Sequence, residues 1–193
     1  MTVIALDSAA REHAWALLTT VDGTVIEQQE MAGGELDRRL PGVIAGFPLG
    51  EVTAVVVLTG PGSYSGVRAA MAAALGFAAA RSLPLHGLGN LAAIAVAVTA
   101  AVGAEFTVVA DAGRGGVYAA RFARGAAGTD QLSPVQRLSA DEVDSAATLY
   151  ATSEIAGLRV EPLEPVRTLA AAVPHALALP PLEPVGLTAI HAQ

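Results

Sequence analysis

Residues 52–68, VTAVVVLTGPGSYSGVR, decide the fold, because they join a strand, a glycine turn and the start of a helix. The segment 53–58 is apolar and mostly β-branched, which is typical of a strand that is buried on both faces. The turn 60–62 ends that strand, and the serines that follow it are suited to cap a helix. Residues 67–81 contain almost only Ala, Val, Leu, Met and Phe, so they are predicted to form that helix.

The glycine turn has two interpretations. A strand, a glycine turn and a helix N-terminus form the general shape of an anion-binding site, since free backbone N–H groups point into the turn. The same glycines also suit a helix that packs closely against its neighbours. The turn has no Walker lysine, and its spacing fits neither the dinucleotide-binding pattern nor the nucleophile elbow. Phosphate contact through bare N–H groups and a purely structural turn therefore both stay open.

Composition restricts the chemistry of this chain of 193 residues. Hydrophobic residues make up 53% and charged residues 15%, which is typical of a globular protein. The net charge of −7 argues against a broad surface for nucleic acid. All 11 basic residues are arginines and there is no cysteine, so Schiff-base and thiolate chemistry are excluded. No apolar run is long enough to span a bilayer and no signal peptide is recognised, so we expect a soluble, cytoplasmic protein.

The order of predicted elements indicates a two-lobed α/β fold. Strands are predicted at 2–6, 13–20, 24–30, 53–58, 83–88, 106–110, 117–123, 131–138 and 147–151, and helices at 35–47, 67–81, 90–102 and 167–179. The order β-β-β-α-β-α-β-α in the first half predicts a mixed sheet with helices on its faces. This is the order of the ribonuclease-H-like half of the actin, Hsp70 and sugar-kinase group. We therefore predict an N-terminal actin-like lobe, 1–104, and a smaller, degenerate second lobe, 105–193.

Two aspartates end matching strands of the predicted lobes. Asp7 follows the first strand, and Asp111 follows the corresponding strand of the second half. In actin-like ATPases the first of these positions faces the phosphates of the nucleotide, often through a metal. Aspartate also caps tight turns routinely, which is the simpler interpretation. The candidate nucleotide or phosphate contacts are Asp7, Gly60, Gly62, Ser63 and Asp111.

The predicted helix 67–81 lacks the polar face of an ordinary surface helix. Such a helix is either covered by its own protein or covers a partner, and we favour the partner in a chain of this size. The predicted partner surface is the stripe Val67, Arg68, Ala70, Met71, Ala74, Leu75 and Ala78. The four histidines are scattered without H-x-x-x-H spacing, so no metal site is expected.

Three segments resemble the TsaB (YeaZ) family of bacterial proteins of tRNA threonylcarbamoyladenosine synthesis. They are ALDS at 5–8, GPGSYSGVR at 60–68 and DAGRGGVY at 111–118. They are similar to the ALDTS, GPGS[FY]TGLR and DARRGEVY segments of the family, and the glycine segment is the specific one. The chain departs from the family at 35–41, at 113–116, where one charge of each sign is lost, and at the C-terminal end from 184.

The resemblance implies an actin-like fold without a complete active site, in a scaffold subunit and not an enzyme. Members of the family pair with the catalytic subunit TsaD, and the ATPase TsaE joins them. The assembly transfers a threonylcarbamoyl group from threonylcarbamoyl-adenylate to N6 of the adenosine next to the tRNA anticodon. The helix after the glycine segment lies at the subunit interface in the family. This chain is thus expected to bind no cofactor or metal alone, and to meet ATP, Mg²⁺ and tRNA only in the complex.

Two further expectations concern the chain on its own. An exposed apolar helix tends to find its copy, so the free protein is expected to form a homodimer through helix 67–81. The alternative function is a self-sufficient nucleotide-binding ATPase of the actin-like group that uses Asp7, the turn 60–66 and Asp111. A peptidase is disfavoured, because the chain has no metal-ligand pair, no cysteine and no nucleophile elbow.

Overall fold

The computed structural model describes residues 1–144 and 146–183, which form two mixed β-sheets and four α-helices. The first sheet contains β1 (Thr2–Asp7), β2 (His13–Thr20), β3 (Val25–Ala32), β4 (Val52–Leu58) and β5 (Leu85–Leu88). The second contains β6 (Glu105–Gly113), β7 (Gly116–Arg124), β8 (Thr129–Gln131), β9 (Gln136–Ser139), β10 (Leu149–Ala151) and β11 (Glu161–Pro162). The helices are α1 (Leu36–Gly46), α2 (Tyr64–Arg81), α3 (Asn90–Ala97) and α4 (Pro165–Leu177). Within the described residues no helix is both long and apolar enough to cross a membrane.

The first sheet has the order β3-β2-β1-β4-β5. The opening hairpins are antiparallel, whereas β4 runs parallel to both β1 and β5. Along β4, Val55 and Val57 join the core under α1 and α2, while Val56 and Leu58 join the core under α4. Both faces of this strand are buried, as its continuous apolar sequence predicts. The predicted mixed sheet is confirmed.

The second sheet has the order β11-β10-β6-β7-β8, and β9 also pairs with β7. Helix α3 covers one face, where Ile94 packs with Phe106 and Phe122. The predicted strand 131–138 is wrong, because it is divided into β8 and β9. Pro134 lies at the break and has no N–H to donate, and the backbone N–H of Arg121 on β7 bonds the hydroxyl of Ser133 there instead.

Helix α4 returns to the first sheet, although it comes last in the described chain. Its buried residues Val166, Leu169 and Val173 pack with Val3 and Leu17 of β1 and β2. This helix was predicted to belong to the second lobe, 105–193. In the structure its apolar stripe covers the face of the first sheet that α1 and α2 leave open. Pro174 does not interrupt it. The boundary near residue 104 stays a prediction, and the family departure from 184 onward lies outside the described residues.

The segment after α4 covers the free edge of the first sheet. The backbone N–H of Leu182 donates to the carbonyl of Leu85 on β5 at 2.7 Å. The ring Nδ1 of His86 lies 3.0 Å from the carbonyl oxygen of Leu179. A Cβ at Gly87 would lie 2.8 Å from the side chain of Leu182, so this glycine leaves room for the segment. The edge of β5 is thereby shielded from pairing with another strand.

Helix α3 ends earlier than the predicted residue 102, because Arg124 of β7 holds its C-terminus. The guanidinium group donates to the carbonyls of Ala95, at 3.2 Å, Val96, at 3.4 Å, and Val98. These carbonyls lie in and just after the last turn of α3, where no following helical N–H group is available to bond them. One half-buried side chain therefore ties the second sheet to the helix that precedes it.

Replacing Arg124 with Ala should lower the free energy of unfolding by about 2 kcal/mol, because several part-buried carbonyls lose a charged donor. Chemical denaturation of the full chain measures this. Arg121→Ala is the control, since Arg121 lies on the same strand but is exposed and pairs with Glu105. Its cost should stay below about 1 kcal/mol. Equal losses in the two variants would contradict the capping role of Arg124.

Candidate functional site

The glycine turn before α2 is packed against the loop that follows β1. The backbone N–H of Ser63 donates to the carbonyl of Ala9 at 2.7 Å, and the hydroxyl of Ser8 donates to the carbonyl of Gly66 at 2.8 Å. A Cβ at Gly62 would lie 2.5 Å from the carbonyl oxygen of Ala9, and a Cβ at Gly66 would overlap the carbonyl oxygen of Ser8. Both glycines are therefore required by close backbone packing.

Several further polar groups of the turn are also bonded within the protein. The N–H of Gly66 lies 3.4 Å from the Ser63 hydroxyl, which caps α2, so the helix begins at Tyr64, three residues before the predicted start. Asn90 donates from its backbone to Gly60 at 2.7 Å and from its side chain to Pro61 at 3.2 Å. Of the two interpretations of this turn, these bonds favour the structural one. Phosphate contact at Gly60, Gly62 and Ser63 stays a prediction.

Asp7 and Asp111 each accept a backbone hydrogen bond from the residue two positions later in the chain. The Oδ1 atom of Asp7 accepts from the N–H of Ala9 at 2.8 Å, and Oδ1 of Asp111 accepts from the N–H of Gly113 at 2.9 Å. Each aspartate thus caps the turn two residues ahead of it. Asp7 is buried, whereas the side chain of Asp111 is 45% exposed and lies 3.4 Å from Nε of Arg11.

A cleft of about 680 Å³ separates the loop after β1 from the ends of β6 and β10. Arg11, Asn90, Asp111 and Ser153 are among the side chains that line it, and Asp7 is not. The two aspartates therefore do not face one shared cavity. Among the described residues no three His, Asp or Glu side chains lie close enough together to hold a metal ion. The expected lack of a metal site stays a prediction.

Burial raises the pKa of the Asp7 carboxyl above its ordinary value, and the hydrogen bond from Ala9 only partly opposes this. The folded state then binds more protons than the unfolded state between the two pKa values, so stability falls as the pH rises through that window. Asp7→Asn keeps the acceptor for Ala9 and removes the buried charge. We expect a higher Tm at pH 7 and no gain below about pH 4. The same scans on Asp111→Asn, which loses an exposed ion pair, should show no gain at pH 7.

The face of α2 that was predicted to meet a partner lies in the core of the chain itself. Five of the seven predicted residues are buried against the first sheet and α1: Val67, Ala70, Met71, Ala74 and Ala78. Leu75 is half-buried, and only Arg68 is exposed. These five residues therefore face the core of the chain and do not form an exposed surface for a partner. Their stripe is apolar because it covers β1 and β4.

The opposite face of α2 is exposed and still almost free of charge. This outer face is defined by the exposed residues Ser65, Arg68, Ala72, Gly76 and Ala79. They follow one another at spacings of three and four, so they form one stripe along the helix. Tyr64 lies at its N-terminal end, with its hydroxyl 3.1 Å from Nη1 of Arg68 and its ring centre 5.1 Å from the guanidinium carbon of Arg68. The unusual feature noted in the sequence, a helix without a polar face, is thus real.

Comparison with known proteins connects this architecture to a family. The family model described as TsaD, tRNA N6-adenosine threonylcarbamoyltransferase, matches residues 44–178. The tRNA threonylcarbamoyladenosine biosynthesis protein TsaB of Escherichia coli K12 is 31% identical over 131 residues, which are 64% of this chain and 56% of that protein. The chain belongs to this family, as a member of the TsaB (YeaZ) type.

Other relatives extend the likeness over nearly the whole chain. An uncharacterized protein of Mycobacterium leprae is 32% identical over 98% of this chain and 54% of its own length. YeaZ from Pseudomonas aeruginosa superposes with a TM-score of 0.69 over 92% of both chains, at 23% identity. This likeness to YeaZ confirms the predicted α/β fold of the actin-like group. The chain spans between 54% and 60% of the length of the first curated relatives it matches.

Proposed function

We propose that this TsaB-type chain is a non-catalytic scaffold subunit in bacterial tRNA N6-threonylcarbamoyladenosine synthesis. It would pair with a catalytic subunit of the TsaD type and work with an ATPase of the TsaE type in the cytoplasm. Family membership supports the pathway, since the E. coli relative is named for it. The observation that carries the scaffold role is the exposed, nearly uncharged outer face of α2.

The geometry of the outer face suits a helix of another chain. Small side chains at 72, 76 and 79 let a second backbone approach closely, and the inner face is already filled by the chain's own core. Tyr64 and Arg68, at one end of the stripe, are residue types that often dominate binding energy at interfaces. The free protein would use the same face for a homodimer until the catalytic subunit displaces the second copy.

The contacts of the sequence candidates support a role without catalysis by this chain alone. The Ser63 N–H is bonded inside the protein, and Asp7 and Asp111 each cap a turn. With a net charge of −7, the chain would reach tRNA through the complex, where ATP and Mg²⁺ would also bind. A self-sufficient ATPase has less support, because Asp7 does not line the cleft. Calorimetry of the isolated chain with Mg-ATP should give no binding heat at millimolar nucleotide.

Reconstitution tests the proposed function directly. Catalytic subunit, ATPase, Mg-ATP, threonylcarbamoyl-adenylate and unmodified tRNA are combined with and without this chain, and modified adenosine is quantified by mass spectrometry. We expect modified tRNA only when the chain is present, and none from the chain with tRNA and threonylcarbamoyl-adenylate alone. Equal product without the chain would refute the scaffold role, and product from the chain alone would show an enzyme.

A further inference from the structure

The outer face of α2 carries one charge, the guanidinium group of Arg68. The other four residues that define this face are serine, alanine or glycine. Arg68 lies one turn after the first residue of α2, so the charge is close to the N-terminal end of the stripe. A protein that covers the outer face therefore meets a single positive charge at one end of an otherwise uncharged surface.

The side chain of Arg68 is held in place by Tyr64. Its Nη1 atom donates to the Tyr64 hydroxyl at 3.1 Å, and its guanidinium carbon lies 5.1 Å from the centre of the tyrosine ring. A guanidinium group over an aromatic ring is attracted by the electrons of the ring. The charge is thus already oriented in the free chain, so a partner loses less side-chain entropy when it binds there.

Arg68 has no acidic partner in its own chain over residues 1–144 and 146–183. None of the ion pairs formed there includes Arg68, and α2 contains neither Asp nor Glu. The second arginine of α2 differs, because Arg81 donates to the carbonyl of Leu49 at 2.9 Å. Most N–H groups of the Arg68 guanidinium are therefore left for water or for a partner.

Covering Arg68 without an acidic group would weaken the binding of any partner. A charge that loses its water in an interface has to be paired there, since an unpaired buried charge is strongly unfavourable. A carboxylate matches a guanidinium group through two parallel hydrogen bonds. The first turn of α2 also has no acidic residue of its own, so the helix dipole adds to the attraction for a negative charge at this end.

A second copy of the chain cannot supply that carboxylate from α2. If two copies of α2 packed in parallel, Arg68 would lie against the same arginine of the other copy. If they packed antiparallel, Arg68 would meet the uncharged C-terminal part of the stripe, around Gly76 and Ala79. In both arrangements Arg68 disfavours a homodimer through the outer face, whereas a different protein with a carboxylate at this point would gain from it.

We infer that Arg68 selects the catalytic subunit over a second copy of this chain, by pairing with a carboxylate of the catalytic subunit. This inference rests on the proposed function and adds the chemistry of the partner surface. That surface presents an Asp or Glu opposite the N-terminal end of the outer face. Beyond the carboxylate it is uncharged for about 16 Å, the length of helix from Arg68 to Ala79.

The test compares two associations of the same full-length variants. Titration calorimetry measures binding to a catalytic subunit of the TsaD type, and sedimentation equilibrium measures self-association, whose constant enters the fit of the titration. The variants are Arg68→Gln, which removes the charge, and Arg68→Glu, which reverses it. Arg38→Gln is the control, because Arg38 is exposed on α1 and lines a groove beside β3 instead. Matched Tm values show that all the proteins are folded.

We expect Arg68→Gln to bind the catalytic subunit about tenfold more weakly than wild type, and to self-associate no more weakly. Arg68→Glu should bind the catalytic subunit about tenfold more weakly again, because two carboxylates would then face each other. The control should keep both affinities within about twofold. The extra loss in Arg68→Glu distinguishes a carboxylate on the partner from a neutral acceptor.

Three results would overturn the inference: unchanged binding of the catalytic subunit by Arg68→Gln, equal binding by Arg68→Gln and Arg68→Glu, or an equal loss in self-association. The scaffold role is tested separately by Ala72→Arg, which obstructs the outer face without changing Arg68. If Ala72→Arg loses the catalytic subunit and Arg68→Gln keeps it, the outer face remains the partner surface and only the role of Arg68 is wrong. If both variants keep it, the proposed surface itself is refuted.

Discussion

Gly66→Ala should destabilise the protein by about 3 kcal/mol, although it adds only a single methyl group. The added Cβ would overlap the carbonyl oxygen of Ser8 and lie 3.2 Å from the Ser63 hydroxyl that caps α2. Because the first contact is with backbone, relief requires the loop after β1 to move away from the turn. The hydrogen bond from Ser8 to the Gly66 carbonyl would then be lost as well. Chemical denaturation gives the change in unfolding free energy.

Gly76→Ala is the matched control, since Gly76 lies in the same helix and a Cβ there would meet nothing within 4 Å. Alanine is the better helix former, so this variant should gain up to about 1 kcal/mol. Stability changes of opposite sign in the two variants would distinguish the effect of close packing from that of helix propensity. Similar stabilities for the two variants would contradict the account of the turn as a packing device.

Ala74→Arg is expected to leave the protein unfolded or largely so. Ala74 is 0% exposed and packs with Val55 and Leu40 in the core under α1 and α2. A guanidinium group there would be buried without a partner, which costs several kcal/mol at least. Ala72→Arg, two residues away on the exposed side, should change stability by no more than about 0.5 kcal/mol. Circular dichroism and thermal melts of the two variants, side by side, check which face is inside.

Local signals in the sequence were sufficient to predict most strands of the first sheet and the turn from which α2 begins. The apolar run of β4 is continuous because both of its faces are buried, and the Asp-Gly pair at 22–23, a hairpin signal, lies between β2 and β3. The glycines at 62 and 66 signalled either an anion site or close packing. The choice between them needed the position of the loop at Ser8 and Ala9, which is far from the turn in sequence.

The face of α2 could not be read from the sequence, for a physical reason. Ala70 and Ala74 are buried while Ala72 and Ala79 are exposed, and a helix that is apolar all round has no periodicity to separate them. The position of α4 and the capping by Arg124 were missed for a related reason, because both depend on contacts between distant parts of the chain. The contacts of Arg11 and Arg137 with the turn between β6 and β7 could not be predicted either, since they join residues that are far apart in the sequence.

The most direct test of the central claim is the affinity of Ala72→Arg for a catalytic subunit of the TsaD type, measured by titration calorimetry. Ala101→Arg is the control, because it adds the same charge at an exposed position in the loop before β6. If the outer face of α2 is the partner surface, wild type and Ala101→Arg bind the catalytic subunit equally, and folded Ala72→Arg binds at least about 100-fold more weakly. Unchanged affinity of a folded Ala72→Arg would contradict the claim.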